Sequence, residues 1–290
     1  MANRLAMFID TSKCMACRGC QVACKQWNDL PAYQTEQRGT YENPSSLDHF
    51  TYTRIRFAEY DDPERFQWLF LKEGCMHCGQ AVCVDVCPTG ALKYGPSGII
   101  TFERDLCNGC GYCSQFCPFG VPHLNVPNPL TGAPELTGLE GQIEMDQASA
   151  LAGLSGEVKS AKCTFCQDRT VNGLKPACVK TCPAGALDWG DRDEMIAKAK
   201  ARIDVLKNER GFPQAQIYGE TELGGLGRIY VLKAPPEAYG LPKDPKYPAM
   251  STVWQKVLQP VGQIAFGATI VGAIAAFFVA RRNVHMEEVE

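Results

Sequence analysis

Sixteen cysteines, all between Cys14 and Cys182, fall into four groups of four with none left over, and this constrains the fold more than any other feature of the 290 residues. The groups are Cys14-x2-Cys17-x2-Cys20-x3-Cys24, Cys75-x2-Cys78-x4-Cys83-x3-Cys87-Pro88, Cys107-x2-Cys110-x2-Cys113-x3-Cys117-Pro118 and Cys163-x2-Cys166-x11-Cys178-x3-Cys182-Pro183. A disulfide framework belongs to small secreted domains without a core. This chain is too long for that, and its opening Met-Ala-Asn-Arg-Leu-Ala-Met-Phe-Ile-Asp has no apolar signal-peptide run. Zinc needs four ligands meeting at one ion and gains nothing from a fourth Cys aimed away from the other three. Attached haem needs CxxCH, and no CxxC here is followed by His.

The third group has the bacterial ferredoxin spacing throughout, including the Pro after its last Cys. A cubane offers four irons, each needing one thiolate. Two-residue steps let a tight loop place three sulfurs around one cluster. The fourth Cys, expected to start a helix leading away, ligates the neighbouring cluster in two-cluster ferredoxins. The reading is therefore four [4Fe–4S] clusters in an α+β fold.

Pairing follows from separation along the chain. Only 19 residues, Pro88 to Leu106, part the second group from the third, which leaves the first to pair with the fourth. Each pair then has one compact and one widened motif. The widened members share a tail, Pro88-Thr-Gly-Ala-Leu92 and Pro183-Ala-Gly-Ala-Leu187, as in an internal duplication with one ferredoxin module nested in the other. First with second and third with fourth also satisfies the compact-plus-widened rule. Under the nested choice the ligand sets are Cys14, Cys17, Cys20 with Cys182; Cys163, Cys166, Cys178 with Cys24; Cys75, Cys78, Cys83 with Cys117; and Cys107, Cys110, Cys113 with Cys87. Lys13, Arg18, Lys25, Lys162 and Lys180 flank the outer pair, either as potential-raising charges or as ordinary solvated surface.

The rest of the chain reads as support. Trp68–Leu71, Gly98–Phe102 and Arg228–Leu232 are expected strands. A helix at Arg192–Lys207 would be capped by Asp191, with Glu194 placed for a capping box and Met195, Ala199, Ile203 and Leu206 on one face. The division is a four-cluster domain over 1–233 with an inserted surface loop at 125–160, a Pro-rich arm at 234–256, an apolar helix at 257–280 and a short polar tail at 281–290. Five prolines between Ala234 and Pro248 predict an extended arm. The 24 uncharged residues Val257–Ala280 are long enough to cross a bilayer once. Ala268, Gly272 and Ala276 would let a partner helix approach closely. Lysines before the span and arginines after it leave its orientation open. A net charge of −3, with no basic bank, excludes a nucleic-acid partner.

The stretches Cys-Met-Ala-Cys-Arg-Gly-Cys-Gln-Val-Ala-Cys-Lys-Gln-Trp at 14–27, Lys-Glu-Gly-Cys-Met-His-Cys at 72–78, Asn-Gly-Cys-Gly-Tyr-Cys at 108–113, Lys-Cys-Thr-Phe-Cys at 162–166, Pro-Ala-Cys-Val-Lys-Thr-Cys-Pro at 176–183 and Tyr-Gly-Leu-Pro-Lys-Asp-Pro-Lys at 239–246 resemble the β subunit of respiratory, membrane-bound formate dehydrogenases nearly end to end. Residues 125–160 depart from it, being longer than the family pattern. The resemblance implies the same nested ligand pairing. It also implies electron transfer from a molybdenum or tungsten formate-oxidising subunit to a membrane cytochrome b that reduces quinone. The iron–sulfur domain would face the periplasm of the bacterial inner membrane, exported folded with a twin-arginine partner. The cysteine motifs alone are shared with subunits of membrane hydrogenases and other molybdopterin oxidoreductases, the alternative setting. A catalytic role for the chain alone is not expected, since the clusters use every Cys and no G-x-G-x-x-G follows a strand. His49, His77, His123 and His285 are isolated, and His77 lies inside a cluster loop.

Overall fold

In the computed structural model, the described residues are 4–31, 37, 39–62, 65–125, 158–248, 250, 253 and 257–283. They form two compact units, Met1–Tyr247 and Pro248–Glu290. The strands, in chain order, are β1 (Leu5–Asp10), β2 (Thr53–Asp62), β3 (Arg65–Gly74), β4 (Leu92–Tyr94), β5 (Ile100–Phe102), β6 (His123–Leu124), β7 (Ser160–Ala161), β8 (Leu187–Asp191), β9 (Gln216–Tyr218) and β10 (Arg228–Leu232). Most of the expected 125–160 loop lies outside the described residues, and its last member, Ser160, belongs to β7.

The main sheet has the order β8-β1-β10-β9. β1 runs parallel to β10 and antiparallel to β8, so it is paired on both edges. Successive side chains of a strand point to opposite faces, and here each face has its own partner. Ala6, Phe8, Ile229 and Val231 pack against Met195, Ile196, Ala199, Ile203 and Leu206 of the helix Arg192–Asn208. Met7, Ile9, Tyr230 and Leu232 point the other way, into a core that also contains Cys20, Cys75, Cys163 and Cys178. Burial on both faces explains why β1 reads as an apolar run instead of an alternating one.

Asp191 caps the helix Arg192–Asn208 by accepting from the Asp193 N–H at 2.9 Å. Among the described hydrogen bonds Glu194 makes no return bond to Asp191, so the expected capping box is a simple cap. Asp10, fully buried at the end of β1, receives Arg202 Nε at 2.8 Å and the Ser12 N–H at 2.9 Å. That ion pair ties the helix to the turn that leads into Cys14.

β2 and β3 form a hairpin in register from Thr53↔Gly74 to Asp62↔Arg65, and β3 delivers the chain to Cys75. β4 and β5 form a short hairpin between Cys87 and Cys107, and β6 pairs with β7. The stretch 234–247, expected to be an extended arm, is instead part of the first unit. Pro236–Tyr239 is a 3₁₀ turn, and Ala234, Tyr239 and Leu241 are buried in the core that holds the cysteines. The Tyr239 hydroxyl lies 2.9 Å from Thr11 Oγ1 and accepts from the Lys233 N–H at 3.1 Å. Proline bars regular structure here; it does not bar packing.

In the second unit the helix Gln259–Asn283 is 25 residues long. It is apolar, and its described side chains are exposed on every side.

Candidate iron–sulfur sites

The four CxxC loops share one backbone device. The residue just before the second Cys of each, namely Ala16, His77, Gly109 and Phe165, has a φ of 55°, 48°, 71° and 55° respectively. Three of these are not glycine, and a non-glycine residue at positive φ costs of order 1–3 kcal/mol, so the surroundings must impose it. The turn curls each loop around a centre, an arrangement in which backbone N–H groups converge on an anion.

The later cysteines lie on short helices. Cys20 and Cys24 sit in Gly19–Trp27, Cys83 in Val82–Asp85, Cys113 in Tyr112–Phe116 and Cys178 in Ala177–Thr181. The fourth Cys of a group was expected to begin a helix. It lies instead within or just after one, four residues beyond the third. Four residues advance a helix by about 6 Å, far enough to carry that sulfur to a different centre. Cys87-Pro-Thr-Gly90, Cys117-Pro-Phe-Gly120 and Cys182-Pro-Ala-Gly185 then turn the chain back, each Gly N–H donating to the Cys carbonyl at 3.0–3.4 Å. The backbone amides after these turns also hydrogen-bond the sulfurs of Cys87 and Cys117.

The cysteines gather in four places. Cys14, Cys17, Cys20 and Cys182 line one apolar cavity. Cys24 is not among its lining, and Cys163, Cys178 and Cys166 are the cysteines close enough to disfavour a charge on Cys24. Cys75 and Cys117 stand in the same relation to Cys78 and Cys83. Cys87, Cys107, Cys110 and Cys113 line a second apolar cavity. In the first and last of these places the thiols stand around a space instead of meeting at a point, and among the described residues no three Cys, His, Asp or Glu are grouped for a single metal ion. Four soft sulfur donors around a cavity fit a cubane. Burial pushes Cys20 up to about 11 and Cys166 up to about 12. A metal-bound thiol is deprotonated outright, so iron supplies the charge that burial opposes.

Neighbouring sites touch. Cys20 and Cys178 are charged neighbours, and the helices that carry them pack together. Nearby, Trp27 Nε1 donates to Asp168 Oδ2 at 2.8 Å while Arg169 lies over the Trp27 ring at 4.2 Å. His77, between Cys75 and Cys78, stacks on Phe165, between Cys163 and Cys166, with ring centroids 3.8 Å apart and planes 13° apart. Its Nδ1 accepts from the Ile100 N–H at 3.0 Å. Cys83 and Cys113 share one apolar cluster with Leu92 and Ile100.

Of the five cations that the sequence placed beside the outer cysteines, Lys162 is buried, bonding Ile100 O at 2.8 Å and Cys163 O at 3.1 Å. Lys25 reaches Phe50 O at 3.1 Å, whereas Lys13 and Lys180 are exposed. Two buried cations escaped the sequence reading. Lys72 lines the Cys14–Cys182 cavity at 2% exposure, and Arg228 is fully buried with Nη2 donating to Cys163 Sγ at 3.7 Å. Burial works against a Cys163 thiolate, but Arg228 and Lys72, with the Phe165 N–H and Lys162, outweigh it and hold that thiol below its ordinary pKa. Strand alternation gave no signal for Lys72, which shares its parity on β3 with the exposed Phe66 and Trp68.

These features define a polyferredoxin-type protein, an electron carrier. Two family profiles, each described as a 4Fe-4S dicluster domain, match residues 13–91 and residues 66–129 with 154–192. The chain belongs to the formate dehydrogenase iron–sulfur subunits. It is 38% identical to the formate dehydrogenase iron-sulfur subunit of Haemophilus influenzae over 99% of this chain and 83% of that one. It is 36% identical to the nitrate-inducible formate dehydrogenase iron-sulfur subunit of Escherichia coli K12 over 99% of this chain and 88% of that one. The hydrogenase-2 operon protein HybA of Escherichia coli O157:H7 is 29% identical over 82% of this chain and 73% of its own length.

Proposed function

We propose that the chain carries electrons through four [4Fe–4S] clusters from a molybdenum or tungsten formate-oxidising subunit to a membrane cytochrome b and its quinone site. The observation that supports this most is where two fourth cysteines lie: Cys182 lines the cavity of Cys14, Cys17 and Cys20, while Cys24 has Cys163, Cys178 and Cys166 nearby; we read each as the fourth ligand of that distant group. Cys117 with Cys75, Cys78 and Cys83, and Cys87 with Cys107, Cys110 and Cys113, make the inner pair. In this reading one ferredoxin module is nested in the other.

Each bound cluster supplies a one-electron carrier. The protein's part is to hold carriers close together and keep water out. In this reading the sites run from Cys14–Cys182, through Cys24–Cys178 and Cys75–Cys117, to Cys87–Cys113, and the contacts described above support that order. The His77–Phe165 stack joins the two modules in that row. Iron and acid-labile sulfide of about sixteen each per chain are expected. Iron near eight, or stoichiometric zinc, would refute the assignment.

The helix Gln259–Asn283 spans about 37 Å at 1.5 Å per residue, against a hydrocarbon core of about 30 Å. We read it as a single pass through the bacterial inner membrane, with the iron–sulfur domain on the periplasmic face. Ala268, Gly272 and Ala276 would pack on a helix of the cytochrome subunit. The likeness to HybA favours a second setting, the same wire serving a membrane hydrogenase. The large subunit that co-purifies in detergent separates the two.

A further inference from the structure

Lys72 is an unusual residue to bury. Its side chain is 2% exposed in the core of the iron–sulfur unit, where an uncompensated ammonium costs several kcal/mol. Among the described residues no carboxylate pairs with it. Nζ donates to Thr53 Oγ1 at 2.5 Å, a neutral partner. Arg228 lies beside it with Nη1 on Lys72 O at 3.1 Å, and it too has no carboxylate partner among the described residues. Among the described residues no carboxylate pairs with either cation, and the groups that favour their charge are the cysteine sulfurs and, for Arg228, the Tyr230 hydroxyl.

The sulfurs belong to two sites. Lys72 lines the cavity of Cys14, Cys17, Cys20 and Cys182. Cys20 of that site and Cys178 and Cys163 of the next are the sulfurs close enough to act on its charge. Arg228 leans to one side only, with Nη2 on Cys163 Sγ. A cubane held by four thiolates is anionic in both oxidation states, and reduction adds one further negative charge. A fixed cation nearby therefore favours the reduced form.

We propose that Lys72, backed by Arg228, is the buried counter-charge of the Cys14/Cys17/Cys20/Cys182 and Cys24/Cys163/Cys166/Cys178 clusters and raises the reduction potential of both. The inference rests on the ligand sets given under Proposed function. A purely structural Lys72, anchoring Thr53 at the root of the β2–β3 hairpin, would not affect either potential.

The test is Lys72→Met in the full-length chain, purified with its partner subunits and titrated electrochemically with detection by electron paramagnetic resonance. The signals are assigned beforehand with Cys17→Ser and Cys166→Ser. Reduction of both outer clusters is expected to become about tenfold less favourable, a fall of about 59 mV for a one-electron couple. The Cys87/Cys107/Cys110/Cys113 cluster should stay where it was, and Lys72→Arg should restore the outer potentials. Unmoved outer potentials in a fully loaded Lys72→Met protein, or an equal shift of all four clusters, would overturn the proposal. Should Lys72→Met fail to load, loading by Lys72→Arg with near-native outer potentials supports a need for charge. Failure of both variants would make the role one of packing and overturn it. Wild-type iron near eight would refute the ligand sets first, whereas sixteen irons with unmoved potentials sinks this inference alone.

Discussion

Replacing Cys24 with Ala separates a nested ligand arrangement from a sequential one. Cys24 shares a short helix with Cys20, four residues away, yet the cysteines close enough to disfavour a charge on it are Cys163, Cys178 and Cys166, about 140 residues later. The residue is 6% exposed, so removing its sulfur leaves a void of roughly one methyl group. Such a void costs about 1 kcal/mol, small beside the 5–15 kcal/mol that hold a domain together. Asn28 Nδ2 loses a 3.6 Å contact to the sulfur but keeps its 2.8 Å bond to the Cys24 carbonyl. The fold should therefore survive, and the deficit should be one of iron. A cubane left with three thiolates falls to a three-iron form or leaves, so about one to four of about sixteen irons should be missing. Iron and sulfide analysis with electron paramagnetic resonance reads this directly, with Cys20→Ala and Cys166→Ala beside it. Cys24→Ala should remove the signal that Cys166→Ala removes and spare the one lost in Cys20→Ala. Loss of the Cys20→Ala signal instead, or of a third signal that neither control removes, as sequential pairing would give, would refute the nested architecture.

Deleting residues 248–290 should release a soluble protein with unchanged iron content, since every Cys and the packed stretch 234–247 lie before the cut; loss of iron would mean that the second unit supports the first. Arg202→Met leaves Asp10 buried without its cation and should destabilise the iron–sulfur unit by about 3 kcal/mol, seen as faster bleaching of the iron–sulfur absorbance on heating. Unchanged bleaching would mean that the pair contributes nothing. Haem in the assembled complex should be bound by another subunit, because residues 257–280 contain neither His nor Met; a haem iron ligated from this span would contradict that.

What could be read from the sequence was local. The CxxC steps, the Cys-Pro turns and the stripe Met195–Ala199–Ile203–Leu206 are short-range patterns whose geometry follows from the spacing itself. The partner of each fourth Cys was not local, and spacing left two pairings standing. Lys72 and Arg228 were missed for another reason. A lone Lys or Arg defaults to the surface unless paired, and what surrounds these two comes from four distant segments. The stretch 234–247 was misread because proline content reports on hydrogen-bonding capacity and says nothing of what Tyr239 will bury against.

The placement of β1 bears on how the molecule is made. Residues 5–10 pair on one side with 187–191 and on the other with 228–232. At about 5–20 residues per second, synthesis takes on the order of ten to forty seconds to travel from the first of these strands to the last. For most of that time, until residues 187–191 emerge, an apolar strand waits with both edges open, the kind of edge that invites aggregation, and one edge stays open until 228–232 follow. The hairpin β2–β3 and the turn β4–β5 join neighbours in sequence and need no such wait. The middle of the chain is thus free to take shape during translation, whereas the sheet that closes the molecule is a late event. A chaperone that covers the first dozen residues of the nascent chain would meet the need this topology creates.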